Sequence, residues 1–497
     1  MVNRIVIVGG GSAGFLAAIT LKARMLNLSV AVIRSKTIGI IGVGEATTVV
    51  LPIHLHRYLK LDLRDFYQAA QPQWKLGIRF LWGKRAWFDY AFRVQVSARY
   101  DNLPHVAAFY CDQGPFDYVG LTSGLMTHNK AFARLADGRP LIDATVAYHL
   151  ENEIFVAYLE QQAVRLGVEM IDGTIQEITQ DDRGITGLKL DNQTTQTADL
   201  FVDASGFVSL LLGKTLGEPF QSFKTTLFND RAVVGVWPRG PEPIQPYTTA
   251  ETMNSGWCWQ IDHEHRISRG YVYSSSFITD QEAQREFRSK NPRVQETRMV
   301  KFVTGKYSRS WVKNVVGIGN SMGFVEPLES TGLSVICNES QWLAECLADC
   351  DRQPNQTMRN QFNKRVASNW SGIRDFLAIH FRFNTRLDTP YWRECREKTD
   401  LGQASELLEY YRENGPSVLW QSTLLPPDDQ FGMEGYISML VGMQVPTHSP
   451  YLPSNQEKAI WNQIRAIYRE QALAGFTASE AMAIVRSPQW QWPQIYG

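Results

Sequence analysis

The start of the chain constrains its fold more than any other segment. It reads as a strand, a glycine-rich turn, a helix and a second strand: Arg4 to Val8, Gly9-Gly-Gly-Ser-Ala-Gly14, an Ala/Leu-rich stretch to about Met25, and Ser29 to Ile33. Gly9 allows a tight turn, Gly11 lets the backbone approach a pyrophosphate, and Gly14 lets the helix pack on the strand. The N–H groups that begin the helix then face the anion. The sequence therefore predicts a Rossmann-like α/β region that binds a dinucleotide.

The fingerprint does not identify the nucleotide. About 20 residues past the last glycine, an acidic residue usually binds a ribose hydroxyl, but this chain has Arg34-Ser35 there. An arginine at this place is compatible with the 2′-phosphate of NADP. The fingerprint alone leaves FAD and NADP both open.

Length and charge narrow the class of protein. The 497 residues exceed the roughly 250–300 over which one hydrophobic core grows, so we expect more than one lobe. Lys and Arg together number 50, as do Asp and Glu, so no net field attracts nucleic acid or an acidic membrane surface. The apolar runs are far shorter than the ~20 residues that span a bilayer, and Met1 leads into a strand rather than a signal peptide. We expect a cytoplasmic protein that binds neither nucleic acid nor membranes.

The cysteines and histidines form no metal or disulfide pattern. The pairs His54-Leu-His56 and His263-Glu-His265 each lack a third ligand at a useful spacing, so no metal site is predicted. The cysteines show no CxxC spacing and indicate reduced, mostly buried thiols; they are Cys111, Cys258, Cys337, Cys346, Cys350 and Cys395.

The middle of the chain favours FAD. A helix-like stretch from Glu151 to Arg165 precedes several strand patterns, the last of which, Ala198 to Val202, ends in Asp203-Ala-Ser-Gly206. This arrangement resembles the FAD enzymes of the aromatic-hydroxylase type. We therefore predict an α/β FAD-binding fold with an elaborated substrate lobe and a mainly helical C-terminal region. The predicted regions are 1–214 (FAD-binding), 215–310 (substrate lobe with mixed strands), 311–352 (return of the FAD-binding region) and 353–497 (helical, on the substrate side).

Four further segments carry a more specific resemblance. They are Gly42-Val-Gly-Glu-Ala-Thr47, Trp74-Lys-Leu-Gly-Ile-Arg-Phe80, Gly256-Trp-Cys-Trp-Gln-Ile261 and Gly323-Phe-Val-Glu-Pro-Leu-Glu-Ser-Thr-Gly332. In these residues and in their order, the chain resembles the flavin-dependent halogenases of the tryptophan or indole halogenase type. One departure is Asp262, which stands where the family's Trp-x-Trp-x-Ile-Pro motif ends in proline and which puts the rigidity of that turn in doubt.

The resemblance implies catalytic roles for Lys75, Glu329 and Ser330. Lys75 is expected to position an electrophilic halogen, and Glu329 to lie close to it and accept the proton that the ring loses, with Ser330 assisting. The residues alone also allow other readings: Lys75 as a surface lysine whose stem is buried, and Ser330 and Thr331 as caps of a helix. Glu326, three residues before Glu329, is a second candidate carboxylate that the family pattern does not favour.

The other implied residues surround a flavin and a halide. The backbone of Thr331 and Gly332 is expected to bind the halide at a helix N-terminus. Trp257 and Trp259 are expected to wall the flavin site, although alternate strand residues also simply fill one face of a core. The expected FAD-binding residues are Gly9, Gly11, Ser12, Ala13, Gly14, Gly44, Glu45, Ala46, Thr47, Asp203, Gly206, Asn320 and Leu333.

The implied function is that of a halogenase, an FADH2-dependent oxidoreductase. Reduced FAD, O2 and a halide (bromide or chloride) are expected to give hypohalous acid, which Lys75 and Glu329 direct onto an electron-rich arene. An indole is the expected arene, and bromide is the halide more easily oxidised. A separate NAD(P)H-dependent flavin reductase is the expected partner, and a homodimer stays open. Two alternatives remain: an FAD-dependent aromatic monooxygenase on the same fold, and a non-catalytic flavin-binding protein.

Overall fold

The predicted α/β fold is confirmed. The computed structural model describes residues 1–35, 39, 44–112, 114–142 and 145–492. Its nucleotide-binding region is built on a six-stranded sheet in which five neighbouring strands are parallel and one edge strand is antiparallel. Across the sheet the strands are Trp311–Val312, Val315–Gly317, Leu200–Asp203, Arg4–Val8, Ser29–Arg34 and Glu169–Asp172.

The first βαβ unit forms as the sequence predicts. Arg4–Val8 is a strand with four buried residues in a row, Ser12–Arg24 is the helix, and Ser29–Arg34 pairs in parallel with the first strand. A continuous apolar run suits a strand that is covered on both faces. The helix packs against two others, Asn152–Arg165 and Gly332–Asp349. The second of these begins at the last residue of the predicted halide segment.

A seven-stranded sheet forms the second layer of the molecule. Its strands, in spatial order, are Thr297–Lys301, Arg231–Pro238, Arg266–Tyr273, Gly256–Asp262, Thr248–Met253, Gly77–Leu81 and Phe88–Ala91. The last two come from the predicted FAD-binding region 1–214, and Gly77–Leu81 pairs in parallel with Thr248–Met253. Hydrogen bonds therefore join the first region directly to the predicted substrate lobe, and the division into four regions stays a prediction.

Small sheets connect these layers. One of them, with the strands Glu45–Ala46, Ala147–Leu150 and Gln73–Lys75, carries Lys75 at its end. The others consist of Ile175–Asp181, Gly184–Leu190 and Thr195–Gln196; of Phe220–Ser222, Gly305–Tyr307 and Gly323–Phe324; and of Lys130–Phe132 with Phe476–Thr477.

The C-terminal part of the chain is mainly helical, as predicted. Its longest helix, Gln356–Phe383, packs against Gly332–Asp349 and reaches the centre of the molecule. The others in this part are Pro390–Lys398, Ala404–Asn414, Gln421–Leu424, Gly432–Gly442, Asn455–Leu473 and Ala478–Val485. Earlier in the chain the remaining α-helices are Val50–Pro52, Leu63–Ala69, Ala108–Cys111, Leu121–Thr127 and Asp280–Lys290. Within the described ranges, none of the helices has both the length and the apolar character that a bilayer crossing requires.

Two departures from the expected motifs are explained by local contacts. Arg34 forms ion pairs with Glu160 and Asp172, so its charge is used within the protein and offers no support for NADP. Asp262 does not sit in a loose turn. It ends the strand Gly256–Asp262, where its carboxylate pairs with Arg239 at 2.8 Å and accepts the Gln245 N–H at 3.0 Å. The missing proline is thus replaced by an anchored strand end.

All six cysteines are free thiols.

Candidate active site

Lys75 lies inside the protein, not at its surface. Its side chain is fully buried, and its ammonium nitrogen donates to the Thr47 carbonyl at 2.9 Å and to the Ser330 hydroxyl at 2.8 Å. The same nitrogen lies 4.8 Å from the centre of the Phe92 ring. Burial lowers the pKa of Lys75 to about 7, and the negative charge of Glu329 opposes this shift. The reading of Lys75 as a surface lysine is therefore wrong.

The segment after Pro327 turns sharply to place Ser330 and Glu329. Pro327–Glu329 forms one short helical turn, and Ser330 follows with a left-handed backbone at φ 57°. This conformation is uncommon outside glycine and is found at functional sites. Here it turns the Ser330 hydroxyl toward Lys75. The reading of Ser330 as a helix cap is wrong, since Ser330 stands outside the helix, whereas Thr331 occupies the N-cap position without a side-chain cap hydrogen bond.

The helix Gly332–Asp349 begins beside this turn. Thr331 is its N-cap residue and is almost fully buried. A Cβ built on Gly332 would have no heavy atom within 4 Å among the described residues, apart from its chain neighbours and the backbone of its own helix. The 18-residue helix therefore begins beside free space, two residues after the Ser330 that contacts Lys75, and its first N–H groups are suited to a small anion.

Glu329 is held by a residue that the sequence analysis did not identify. Its carboxylate Oε1 lies 2.7 Å from Nε2 of His380, and both side chains are buried. Its Oε2 has no hydrogen-bond partner among the residues that the structure describes. His380 comes from the helix Gln356–Phe383, where its Nδ1 lies 2.9 Å from the Phe376 carbonyl oxygen. In the sequence it stands in an apolar run, and nothing in the pattern links it to a glutamate 51 residues away.

Glu326 has a different environment from Glu329. Its Oε2 accepts hydrogen bonds from the Trp257 indole N–H and the Asn229 amide, both at 2.7 Å. Burial raises the pKa of Glu326 to about 7, and these two hydrogen bonds oppose the shift. The tryptophan motif and the Gly323–Gly332 segment are therefore tied together through this carboxylate. Trp259 is also buried, with its ring 6.1 Å from that of Trp257 and packed over Gly270.

The glycine fingerprint has the geometry of a pyrophosphate cradle. A Cβ on Gly9, where φ is +129°, would lie 2.2 Å from the Ala204 carbonyl oxygen, and one on Gly14 would lie 1.8 Å from the Gly9 carbonyl oxygen. A Cβ on Gly11, in contrast, would have no described residue within 4 Å apart from its chain neighbours. Ser12 and Ala13 begin the helix at this opening. These residues fit the close approach of a dinucleotide phosphate.

Two other turns meet the fingerprint. Asp203 is buried, and its carboxylate accepts the backbone N–H groups of Ser205, Leu211 and Leu212, so it holds the turn that packs on Gly9. Gly206 ends that turn with φ +66°. Asn320 lies in the short helical turn Gly319–Ser321; a Cβ on Gly319 would lie 3.6 Å from Cβ of Ala13. Leu333 is buried in the first turn of the helix Gly332–Asp349.

The strap from Gly44 to Thr47 links the predicted flavin site to Lys75. Glu45 and Ala46 pair with the strand Ala147–Leu150. Thr47 exchanges hydrogen bonds with the Tyr148 backbone at 2.9 and 2.8 Å, and its carbonyl accepts the Lys75 ammonium. Thr47 thus belongs both to the strap and to the surroundings of Lys75. The first two residues of the predicted strap, Gly42 and Val43, lie outside the described residues.

A cavity of about 280 Å³ opens at Lys75. Its polar lining residues are few and its apolar ones many, as is usual for sites that bind small organic molecules. The lining includes Phe92, Phe132, Leu125 and Val146, and all of it comes from residues between Val49 and Ala147. The helical C-terminal region contributes to the site through the contact of His380 with Glu329. Within the described chain, no group of three His, Cys, Asp or Glu side chains has an arrangement suited to a metal ion.

The comparisons with known proteins agree with this arrangement. The family model "Tryptophan halogenase" matches residues 4–457. Tryptophan 7-halogenase KtzQ of Kutzneria sp. (strain 744) is 33% identical over 448 residues, which are 84% of this chain and 83% of that protein. The chain belongs to the tryptophan halogenase family. This family membership confirms the predicted resemblance and makes the protein an enzyme of the oxidoreductase class.

Solved structures of tryptophan halogenases share the whole fold. MibH, a lanthipeptide tryptophan 5-halogenase, superposes with a TM-score of 0.89 at 37% identity, covering 98% of this chain and 94% of that one. Tar14, a tryptophan C-6 flavin-dependent halogenase (chlorinase) from taromycin biosynthesis, gives 0.87 at 30% identity, covering 98% and 100%. The tryptophan halogenase family implies FAD as cofactor, with a halide and O2 as co-substrates.

Proposed function

We propose that this halogenase transfers a halogen from hypohalous acid to the indole ring of a small substrate, and that Lys75 and Glu329 direct the transfer. The observation that carries the proposal is the position of Lys75. A buried lysine with a lowered pKa is costly to the fold, and such groups cluster at functional sites. It stands at the wall of an apolar cavity and is held by the Thr47 carbonyl and the Ser330 hydroxyl.

The residues around the glycine fingerprint would hold the flavin. Gly9, Gly11 and Gly14 leave room for its pyrophosphate, and the turns at Gly206 and Asn320 flank the same opening. When bound in reduced form with O2 and a halide, FAD supplies the oxidation of the halide to hypohalous acid. A separate flavin reductase would deliver it.

The start of the helix Gly332–Asp349 would hold the halide. The backbone N–H groups of Thr331 and Gly332 provide the donors, and the helix dipole adds positive potential. The open space at Gly332 leaves room for chloride or bromide. Bromide is the more easily oxidised of the two, so we propose it as the better halide.

Lys75 and Glu329 would then act on different groups in one reaction: Lys75 on hypohalous acid and Glu329 on the proton of the ring. While π electrons of the arene attack the halogen and the oxygen–halogen bond breaks, the Lys75 ammonium transfers a proton to the oxygen, so that water leaves and Lys75 remains as a neutral amine. Glu329 accepts the proton from the ring carbon, and the electron pair of the broken C–H bond restores aromaticity. Because the pKa of Lys75 is about 7, its neutral amine is also present near neutral pH. This amine can instead attack the halogen of hypohalous acid, so that the oxygen–halogen bond breaks, the released hydroxide takes a proton from the nitrogen and leaves as water, and a haloamine remains. In both routes the Lys75 nitrogen holds the halogen, either through a hydrogen bond to hypohalous acid or through a covalent bond in the haloamine.

The cavity supports an indole as substrate. Phe92 and Phe132 offer ring surfaces to a flat aromatic molecule, and the aliphatic lining excludes water from it. The relatives named above are a tryptophan 7-halogenase and a lanthipeptide tryptophan 5-halogenase by their names. We therefore propose indole, a simple derivative or tryptophan as the substrate class.

Mass spectrometry of a substrate panel tests this function. The panel contains indole, L-tryptophan, a tryptophan-containing peptide, a pyrrole and a phenol, each incubated with the enzyme, FAD, a flavin reductase, NADH and either chloride or bromide. We expect a halogen isotope pattern on an indole compound, and no turnover when the reductase is left out. Hydroxylated product without halogen would support a monooxygenase instead, and halogenation restricted to a carrier-bound pyrrole would contradict the substrate proposal.

A further inference from the structure

The buried contact between His380 and Glu329 fixes how many protons the two side chains share. Nδ1 of His380 lies 2.9 Å from the Phe376 carbonyl oxygen, which can only accept, so Nδ1 carries a hydrogen. Nε2 of a neutral imidazole with that tautomer is an acceptor, and a carboxylate oxygen is an acceptor too. Their separation of 2.7 Å therefore requires one proton between Nε2 and Oε1, on one atom or the other. The pair is net neutral in both cases, which suits two side chains that are almost without exposure to solvent.

The imidazole ring of His380 is also held in place by its aromatic neighbours. Its ring packs at 5.4 Å from Phe80 and edge-on at 4.8 Å from Phe376, measured between ring centres. The backbone carbonyl of the same residue accepts the Trp82 indole N–H at 2.8 Å. His380 is thus immobilised by its helix and by aromatic neighbours, and it holds one oxygen of Glu329 in place. The second oxygen, Oε2, is the one left without a partner in the described part of the chain.

We propose that His380 is a positioning residue for Glu329, which anchors Oε1 and takes up its shared proton when Oε2 accepts the proton of the halogenated ring. The proposal rests on the proposed halogenase function. In this step the ring C–H bond breaks, its electron pair returns to the ring, and the proton bonds to Oε2. The proton between Oε1 and Nε2 then lies on Nε2, so that the pair carries two protons, with Glu329 neutral and His380 cationic. No reagent beyond the ring proton is needed.

Two amide substitutions separate the contact with Glu329 from the rest of the histidine. In His380→Gln the longer amide reaches the position of Nε2 and can still donate to Oε1. In His380→Asn the shorter amide reaches only the position of Nδ1 and keeps the bond to the Phe376 carbonyl. Both variants bury a neutral amide at the same place, so they form a matched pair. His54→Asn, which alters another buried histidine whose Nε2 contacts Thr20, serves as an unrelated control.

The decisive measurement is a kinetic isotope effect on ring-deuterated indole and ring-deuterated L-tryptophan. In electrophilic aromatic substitution the loss of the ring proton is normally faster than the attack on the halogen, so the wild type should show no primary isotope effect. When the base is misplaced, proton loss becomes slower and an isotope effect should emerge. We expect this in His380→Asn, with product formation about 10-fold to 100-fold below wild type, less than the ~10²–10⁴-fold cost of losing a general base. His380→Gln should lie between wild type and His380→Asn in both respects, because its amide keeps the contact to Oε1 but cannot take up a proton. Flavin oxidation should be equal in all variants.

The outcomes distinguish this inference from the proposed function. A wild-type enzyme that halogenates neither compound contradicts the proposed function and the inference with it. An active wild type contradicts the inference alone if His380→Asn retains the wild-type rate, or if both amide variants lose rate equally without an isotope effect. If His380→Asn does not fold, His380→Gln alone decides, because its amide cannot take up a proton. An isotope effect in His380→Gln would support proton uptake by the histidine, and a wild-type rate without an isotope effect would rule it out.

Discussion

At the scale of single residues, Lys75 combines a functional position with a cost in stability. Its side chain is fully buried, and two hydrogen-bond partners, the Phe92 ring and the charge of Glu329 compensate the ammonium for the water that it loses. A buried ammonium usually responds by releasing its proton, and the lowered pKa reflects this response. The same property gives the site both an ammonium and an amine near neutral pH.

This cost predicts a pH-dependent stability. The unfolded chain holds the Lys75 proton up to its ordinary pKa of 10.5, whereas the folded chain releases it near 7. Between these values folding expels a proton, so this group makes the wild type more stable as the pH rises. In Lys75→Met that rise should be missing. Urea unfolding from about pH 7 to about pH 10 measures it, and the free-energy difference between variant and wild type should shift in favour of the wild type as the pH increases. The exposed Lys364→Met is the control, and a constant difference for Lys75→Met would contradict the lowered pKa.

Glu329 and Glu326 allow a matched comparison of two buried carboxylates in one segment. Glu329→Gln should slow product formation by about 10²–10⁴-fold, as expected for a lost general base, while flavin oxidation stays normal. Glu326→Gln removes the same charge from a side chain that contacts Trp257 and Asn229, and it should cost much less in the halogenation step. The measurement is product formation by chromatography, together with NADH-coupled oxygen uptake. Equal losses in the two variants would mean that the carboxylates act through structure alone.

At the scale of secondary-structure elements, local signals predicted the fold well. The first strand has the predicted bounds Arg4–Val8, and the following helix ends one residue before the predicted Met25. These elements follow from hydrophobic periodicity and glycine positions, which the sequence contains directly. The family motifs likewise pointed to Lys75, Glu329 and Ser330, and the structure brings them together.

The parts of the site that the sequence did not predict depend on long-range packing. His380 reaches Glu329 only because the fold brings the helix Gln356–Phe383 next to the turn that carries Glu329. The contact between Trp257 and Glu326 joins a strand to a turn 69 residues away. A buried histidine and a buried glutamate are unremarkable in composition, and no local period marks their partners. The cap reading failed for Ser330 because its left-handed backbone turns its hydroxyl to Lys75, whereas Thr331 occupies the N-cap position without a side-chain hydrogen bond.

The fingerprint turn yields a prediction that separates folding from cofactor binding. A Cβ on Gly14 would collide with the Gly9 carbonyl oxygen at 1.8 Å, so Gly14→Ala should lower the melting temperature and weaken FAD binding together. Gly11→Ala adds a Cβ in open space, at a backbone φ of −100° that alanine adopts easily. It should leave the melting temperature of the FAD-free protein nearly unchanged and still weaken FAD binding, because the pyrophosphate approaches there. Thermal unfolding without FAD and flavin-fluorescence titration test both, and unchanged FAD affinity in Gly11→Ala would contradict the proposed binding site.

At the scale of the whole molecule, the site is assembled from every layer. The six-stranded sheet supplies the fingerprint and the turns at Gly206 and Asn320, and a small sheet supplies Thr47 and Lys75. The helical C-terminal region contributes His380. Thr47 connects the strap to Lys75 through one carbonyl, so the proposed flavin site and the cavity at Lys75 would be separate places joined through this residue. Such a division suits a reaction in which the oxidation of halide and its transfer to carbon occur at different positions.

This separation predicts how substitutions on the two sides combine. Lys75→Ala should reduce halogenated product below detection and leave FAD binding and flavin oxidation near normal, because the fingerprint turns do not depend on the lysine. The double variant with Glu329→Gln should match Lys75→Ala, with no detectable product and near-normal flavin oxidation, since both residues act on one electrophile and groups that function as a unit lose their effect together. Gly11→Ala combined with Lys75→Ala should instead lower flavin oxidation as far as Gly11→Ala does by itself. Product yield and oxygen uptake, measured on the same samples, give both comparisons. The assignment fails if Lys75→Ala still halogenates at a substantial rate, or if it loses activity only because it no longer binds FAD.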